Sequence, residues 1–301
     1  MPEGHSIHRL ALALGELFGG SHPDASSPQG RFSQGAALLN GEYVGQPSAW
    51  GKHLFVPFGD EAEIGEDGPR WLHVHLGLYG SWRFAGDDSF VARHSIGAPR
   101  RRIGESETPG ATSEHFEPPA PGPNVRLRLA IDSGVADLSG PSRCEVLTGA
   151  ECRGILARLG PDPLRNEPGD RQRFIDLVRR RATPVGVLVL DQAVAAGPGN
   201  IYRAECLFRT GINPMRQGRR VSALRLGALW DDLVAAMNEG LDTGTIDTLE
   251  ARYLPTDPAD ENDRRFAVYH RAGRPCPRCG RAVARTEIAG RTLFWCPACQ
   301  R

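Results

Sequence analysis

CPRCGRAVARTEIAGRTLFWCPAC, residues 276–299, carries four cysteines in the spacing C-x2-C-x16-C-x2-C. Each close pair can grip one ion from a tight turn, and four thiolates close a tetrahedral shell suited to a single structural Zn2+. A shell with no open position builds shape and does no chemistry. Between the pairs, AVARTEIAGRTLFW reads as two short strands turning at Ala289–Gly290, so the segment is a zinc ribbon. A module below about 40 residues buries too little to fold alone, and the ion's binding energy becomes its folding energy. The other cysteines, Cys144, Cys152 and Cys206, fall in helix-like stretches and read as buried thiols.

Working upstream, apolar residues recur with helical period from about residue 142, in CEVLTGAECRGILARLG, RQRFIDLVRRR, VGVLVLDQ, NIYRAECLFRTG and SALRLGALWDDLVAAMNEG. Pro161, Pro163, Pro184, Pro198 and Pro214 punctuate these helices. Further toward the N-terminus the pattern changes to short β-like runs, LFVPF, WLHVHLGLYGSWRF and NVRLRLAI, broken by Gly and Pro. Residues 86–123, rich in Gly, Pro, Ser and charge, read as a long loop. HSIHRLALALGELF, residues 5–18, repeats apolar side chains at Ile7, Leu10, Leu14 and Leu17 and predicts a leading helix. The layout is multidomain α+β: a β-rich domain over 1–141, a helical domain over 142–262 and the metal module over 263–301.

At 301 residues the chain can bury a sizeable core. No run of 18 apolar residues occurs, which argues against a membrane partner, and the acidic opening MPEGHSIHRL lacks the basic patch of a secretory signal. Seven cysteines, an odd number, argue against a closed disulfide framework and for the cytoplasm. The net charge of zero hides an asymmetry: residues 263–301 hold nine arginines against Asp263 and Glu287. Such a basic end suits a polyanion.

One position stands apart. Of 36 Lys plus Arg, only Lys52, in SAWGKHLFVPF, is a lysine. An ammonium is a compact point charge that can give up a proton, whereas a guanidinium stays charged and spreads its donors over a fork. A chain that uses Arg elsewhere and Lys here points to a site needing that property.

MPEG at the start, GKHLF around Lys52, HVHLGLYG at 73–80, DQAVAAGPGNIYRAECLF at 191–208 and GRTLFWCPACQ at 290–300 together resemble the Fpg/Nei family of DNA glycosylases, in its endonuclease VIII branch of actinobacterial type. The resemblance runs the length of the chain in order. It implies an N-terminal β-sandwich with a leading helix, a helix–two-turn–helix domain and a C-terminal zinc finger. It also implies a monomer that excises oxidised bases from damaged DNA and then cleaves the strand.

With Met1 removed, Pro2 offers a secondary amine, which the family uses as nucleophile on the sugar C1′. An α-amine has a pKa near about 8, so a usable fraction is unprotonated at neutral pH. Its condensation product is an iminium, an electron sink that acidifies the 2′ hydrogen and permits β- then δ-elimination. The resemblance makes Glu3 the general acid/base and Lys52 a phosphate contact that helps protonate the departing base. Many relatives carry a second Glu where this chain has Ser6. His5 and His8 read as helix-surface residues.

The apolar Leu78 corresponds to the wedge that fills the gap left by an everted nucleotide. His75, Asn200 and Tyr202 correspond to phosphate contacts, and so does Arg291, whose fork suits bidentate capture. His73 and His75 share one face of a strand, a two-histidine pair without an evident third metal ligand. The stretch DLSGPSRCE, where some relatives insert Arg and Phe, lacks the Phe, and this favours oxidised pyrimidines over 8-oxoguanine. Two alternatives remain open at this point. One is a zinc-dependent damaged-DNA-binding protein without catalysis, and the other is a glycosylase for oxidised purines (8-oxoguanine, formamidopyrimidine). Within the enzyme reading, Lys52 could replace Pro2 as the Schiff-base amine.

Overall fold

The computed structural model describes residues 2–60, 70–90, 95–97, 116–256 and 262–301. Its contacts divide the chain into two compact units, Met1–Arg158 and Leu159–Arg301.

The first unit opens with α1 (Gly4–Phe18), whose Ile7, Leu10 and Leu14 are buried as the period predicts, with Leu17 half-buried beside them. After β1 (Asp24–Ser26) and α2 (Ser33–Leu39) come β2 (Ser48–Trp50), β3 (His53–Phe58), β4 (Arg70–His75), β5 (Ser81–Gly86), β6 (Ser95–Gly97), β7 (Val125–Ile131), β8 (Gly134–Ser139) and β9 (Arg143–Leu147), then α3 (Gly149–Leu156). The strands form two sheets, ordered β2-β3-β4-β9 and β1-β7-β8-β5-β6, with antiparallel ladders. Alternation sends Leu54, Val56, Leu72 and Val74 from one sheet, and Trp82, Phe84, Leu127, Leu129 and Leu138 from the other, into one core. The helix stripe joins that core, giving a β-sandwich with a leading helix. Burying each of these large side chains contributes about 1.5–3 kcal/mol.

Two expectations need correction here. The stretch beginning CEVL, read as helix, starts as strand: Leu72, His73 and Val74 of β4 pair with Val146, Glu145 and Cys144. A run of four residues is too short to separate strand from helix by period, and the partner strand lies some seventy residues away. Cys144 is accordingly a half-buried strand residue, while Cys152 and Cys206 are buried in helices. The loop expectation for 86–123 falls largely outside the described residues, apart from a turn at 87–90, the strand β6 and residues 116–123.

In the second unit, α4 (Asp170–Arg179), α5 (Val185–Leu188), α6 (Asn200–Arg209) and α7 (Ala223–Thr243) pack around Phe174, Val185, Leu207, Leu229, Trp230 and Leu233. The stretch 185–192 is one helical turn followed by further turns, shorter than its apolar run suggests. Ser222 caps α7 by accepting from the Arg225 N–H, and Gly244, at φ 76, ends it. A short α8 (Asn262–Arg265) precedes the hairpin of β10 (Ala284–Ile288) and β11 (Arg291–Trp295). Ala289 and Gly290 make the two-residue turn, with φ 49 and 68, the positive pair a tight hairpin demands. Fully buried Glu205 of α6 ties this end down, accepting from the N–H groups of Ala267, Val268 and Tyr269 at 2.7–2.8 Å. Among the described residues no helix is long and apolar enough to cross a membrane.

Candidate functional site

In the first unit, α1 packs against β2 and β3, and these strands turn into each other at Gly51–Lys52. Gly51 sits at the first central position of that turn with φ 59, where glycine is favoured. Pro2 is buried immediately before the helix, and Glu3, its N-cap residue, has no exposed surface. His5 is also fully buried, its Nε2 3.2 Å from Ser6 Oγ. The surface assignment of His5 was therefore wrong: the apolar stripe marks one face of α1, but strands cover more of its first turn. His8 is half-exposed.

The register of β3 and β4 sets His53 opposite His75, one residue beyond Lys52. Their rings meet edge to face at 5.0 Å. The Gly77 N–H donates to His75 Nδ1 at 3.1 Å, so Nδ1 acts as acceptor and the neutral ring keeps its proton on Nε2. Ser142 Oγ lies 3.0 Å from the same Nδ1 and donates to the His75 carbonyl. Burial first, and then the Lys52 ammonium, lower His75 to about 4, so the ring is neutral at physiological pH. A neutral Nε2–H beside an ammonium is a donor pair suited to a phosphate oxygen.

His73 is buried on the same face of β4, its Nε2 2.9 Å from His53 Nδ1 and its Nδ1 2.8 Å from Glu145 Oε1. His53 and Glu145 were absent from the sequence-based set. The two-residue turn aligns His53 only with Trp50; its pairing with His75 comes from the β3–β4 register, and Glu145 required knowing that CEVL is a strand.

Leu78 occupies the β4–β5 turn and is 47% exposed, with Tyr79 beside it 81% exposed. A core leucine would not sit there. Gly77 turns the chain at φ 69 so close to the next loop that a Cβ would lie 2.8 Å from Ser142 Cβ.

In the second unit, Gly197, Pro198 and Gly199 lead into the first turn of α6, which carries no acidic residue. Asn200 Nδ2 donates to the Thr292 carbonyl at 3.0 Å. Fully buried Arg203 donates to Asn200 Oδ1 and, at 2.8 Å, to the same carbonyl. Arg291, exposed at the start of β11, directly precedes Thr292, so this network links the turn of the hairpin to the start of α6. Tyr202 does not reach the surface: the whole residue is buried among the helices, which sets its side chain aside as a phosphate contact.

Cys276, Cys279, Cys296 and Cys299 gather with their sulfurs within 4.8 Å of one another, including pairs at 3.9 and 3.5 Å. A tetrahedral shell with metal–sulfur bonds of about 2.3 Å spaces its sulfurs about 3.8 Å apart, so the donors fit such an ion.

The chain thus runs from a β-sandwich with a leading helix through a helical domain to a four-cysteine finger. Residues 159–250 match the formamidopyrimidine-DNA glycosylase H2TH domain, and residues 273–301 match the zinc finger found in FPG and IleRS. The chain is 39% identical over 301 residues, all of both chains, to Endonuclease 8 1 of Mycobacterium tuberculosis. It is 37% identical over 240 residues, 76% of each chain, to formamidopyrimidine-DNA glycosylase of Alkalilimnicola ehrlichii. The MutM (Fpg) structure from Thermus thermophilus superposes with a TM-score of 0.71 at 27% identity, covering 99% of this chain and 98% of that one. The chain belongs to the Fpg/Nei family of DNA glycosylase/AP lyases.

Proposed function

We propose that the protein removes oxidised bases from DNA, pyrimidines preferred, and cleaves the resulting abasic site through a Schiff base on Pro2. The observation that carries this reading is the complete burial of Glu3 directly after Pro2, on a helix seated against the strands that present Lys52. A helix dipole favours an acid at this position but does not require its burial. In this reading the Pro2 nitrogen, once Met1 is removed, attacks C1′ of the everted nucleotide. Glu3 moves protons at the opening sugar, and Lys52 protonates the departing base while holding a phosphate with His75 Nε2–H. The iminium then carries β- and δ-elimination. Leu78 fills the vacated stack, and Asn200, the first turn of α6 and Arg291 hold backbone phosphates. The preference for pyrimidines rests on DLSGPSRCE, which offers no aromatic side chain from the loop after β8. The four cysteines hold one structural Zn2+, which orders the hairpin and takes no part in the chemistry.

Borohydride trapping on an abasic duplex tests the reading. A Met-free protein is expected to form a covalent adduct whose peptide map points to the N-terminus; mapping to Lys52 instead would move the Schiff base. A protein that binds the duplex without any adduct would be a damage-binding module and would refute the catalytic assignment.

A further inference from the structure

Glu145, His73 and His53 form a chain of hydrogen bonds that the reading above does not use. Glu145 Oε1 lies 2.8 Å from His73 Nδ1, and His73 Nε2 lies 2.9 Å from His53 Nδ1. The two rings are parallel within 8° at a centroid distance of 5.1 Å. Such a separation with so short an N···N contact sets the rings side by side, where ring N–H groups and lone pairs point. An ionised carboxylate only accepts, so His73 Nδ1 carries a proton and its Nε2 accepts from His53 Nδ1–H. His53 Nε2 is left as the open acceptor of the chain. Strand register builds this arrangement: His73 faces Glu145 across β4–β9, and His53 faces His75 across β3–β4.

The surroundings of His53 are mostly cationic or neutral. His73 and His75 face it from β4, Arg143 acts from β9, Arg158 from the segment after α3, and Lys52 is its chain neighbour. Against β3 packs α1, with Glu3 as its N-cap and His5, His8, Arg9 and Glu16 along it, while α3, which touches β4 and β9, bears Glu151, Cys152 and Arg153. Burial, followed by the charges of His75, His73 and Arg143, pushes His53 down to about 3. Burial lowers His73 as well, against the pull of Glu145.

We propose that Glu145, His73 and His53 are a proton relay that takes up one proton when a DNA phosphate binds at Lys52 and His75, and releases it when the phosphate leaves. A solvent proton adds to His53 Nε2, the His53 Nδ1 proton passes to His73 Nε2, and the positive charge comes to rest on His73 against Glu145. No other bond changes. The phosphate supplies the negative charge that this edge lacks, which makes the imidazolium form favourable. Glu145 and His73 are positioning residues, acting through His53.

The inference rests on the reading that Lys52 and His75 meet a phosphate, and the test separates the two. Calorimetric titration of the full-length, zinc-loaded protein with a duplex bearing a tetrahydrofuran abasic analogue, near pH 6 in two buffers of different ionisation enthalpy, counts protons taken up. Wild type is expected to take up as much as about one proton per duplex; His53→Gln loses this uptake and Glu145→Gln reduces it at least about twofold. A purely structural network would leave the count unchanged. In the wild-type protein, NMR titration of the histidine Cε1–H signals should show His53 and His73 titrating at higher pH in the complex, a result that needs no variant to fold. Duplex binding without proton uptake, uptake retained in His53→Gln, or unshifted histidine signals each overturn the relay alone. Failure to bind the duplex overturns the relay together with the phosphate reading.

Discussion

In the first unit, two helices and two sheets bury a common core of Ile7, Leu10, Leu39, Val56, Leu72, Trp82 and Leu129, and the candidate catalytic residues ride on its elements. The C-terminal hairpin of the second unit has far less to bury. Its cluster consists of Val283, Phe294, Cys276 and Cys296, completed by Ala267, Val268 and, from α6, Ala204 and Phe208. In the proposed function the chemistry thus falls where hydrophobic packing alone holds geometry, while the phosphate contact of Arg291 falls where four cysteines and a buried carboxylate stand in for a core. The two regions should fail differently. Loss of a reactive group in the first should leave the fold intact, and loss of a ligand in the second should unfold a segment while the sandwich persists.

The largest effect is expected at Pro2. A protein with its N-terminus blocked by a retained tag should lose borohydride trapping and incision by about 10^3-fold or more, the scale on which removal of a covalent nucleophile acts. Binding to a tetrahydrofuran duplex should survive, and robust trapping by the blocked protein would break the contrast at once.

Next comes the metal shell. Cys296→Ser, at a buried position, or exhaustive chelation should expose residues 273–301 to proteolysis, because a small four-cysteine module draws its folding energy from the ion. Duplex affinity should drop by about tenfold or more as the grip of Arg291 is lost. Trypsin digestion with mass mapping would reveal the outcome. A hairpin that stays protected after verified metal loss would show that Glu205 and the Phe208–Phe294 packing suffice.

A smaller effect isolates one phosphate contact. Arg291→Ala should weaken duplex binding by about tenfold and reduce the salt dependence by about one phosphate, with the hairpin still folded. An unaltered salt slope would remove Arg291 from the interface.

The same contrast explains what could be read in advance. The cysteine spacing, the stripe of α1 and the turn at Ala289–Gly290 are local signals, each complete within a few residues. Glu145 was not legible because its partner His73 lies on a strand 72 positions earlier. CEVL is also too short for its period to declare a strand. His5 and Tyr202 were misplaced for a related reason: a residue adjoining a functional motif was assigned outward, although packing of α1 on β2 and β3, and of α6 within its bundle, turns each inward. His53 lay in view next to Lys52, but only the register of two strands gives it neighbours.

The smallest predicted effect concerns pH and stays within the first unit. His53 and His75 are held at about 3 and about 4, against an ordinary 6.5, so the unfolded chain binds more protons than the folded one between those values. Stability from keeping these rings neutral is thus complete above about pH 6.5 and declines as the pH falls toward 4. Both rings retain solvent contact, so the loss should be modest and local. Hydrogen exchange of the β3 and β4 amides in the DNA-free protein is expected to quicken on going from pH 7 to pH 5, after correction for intrinsic exchange rates, while the core of α7 stays protected. His53→Gln should blunt that change, since one of the two groups can no longer charge. If β3 and β4 respond no more than α7, the fold does not hold these rings below their ordinary pKa, and the neutrality assigned to His75 fails.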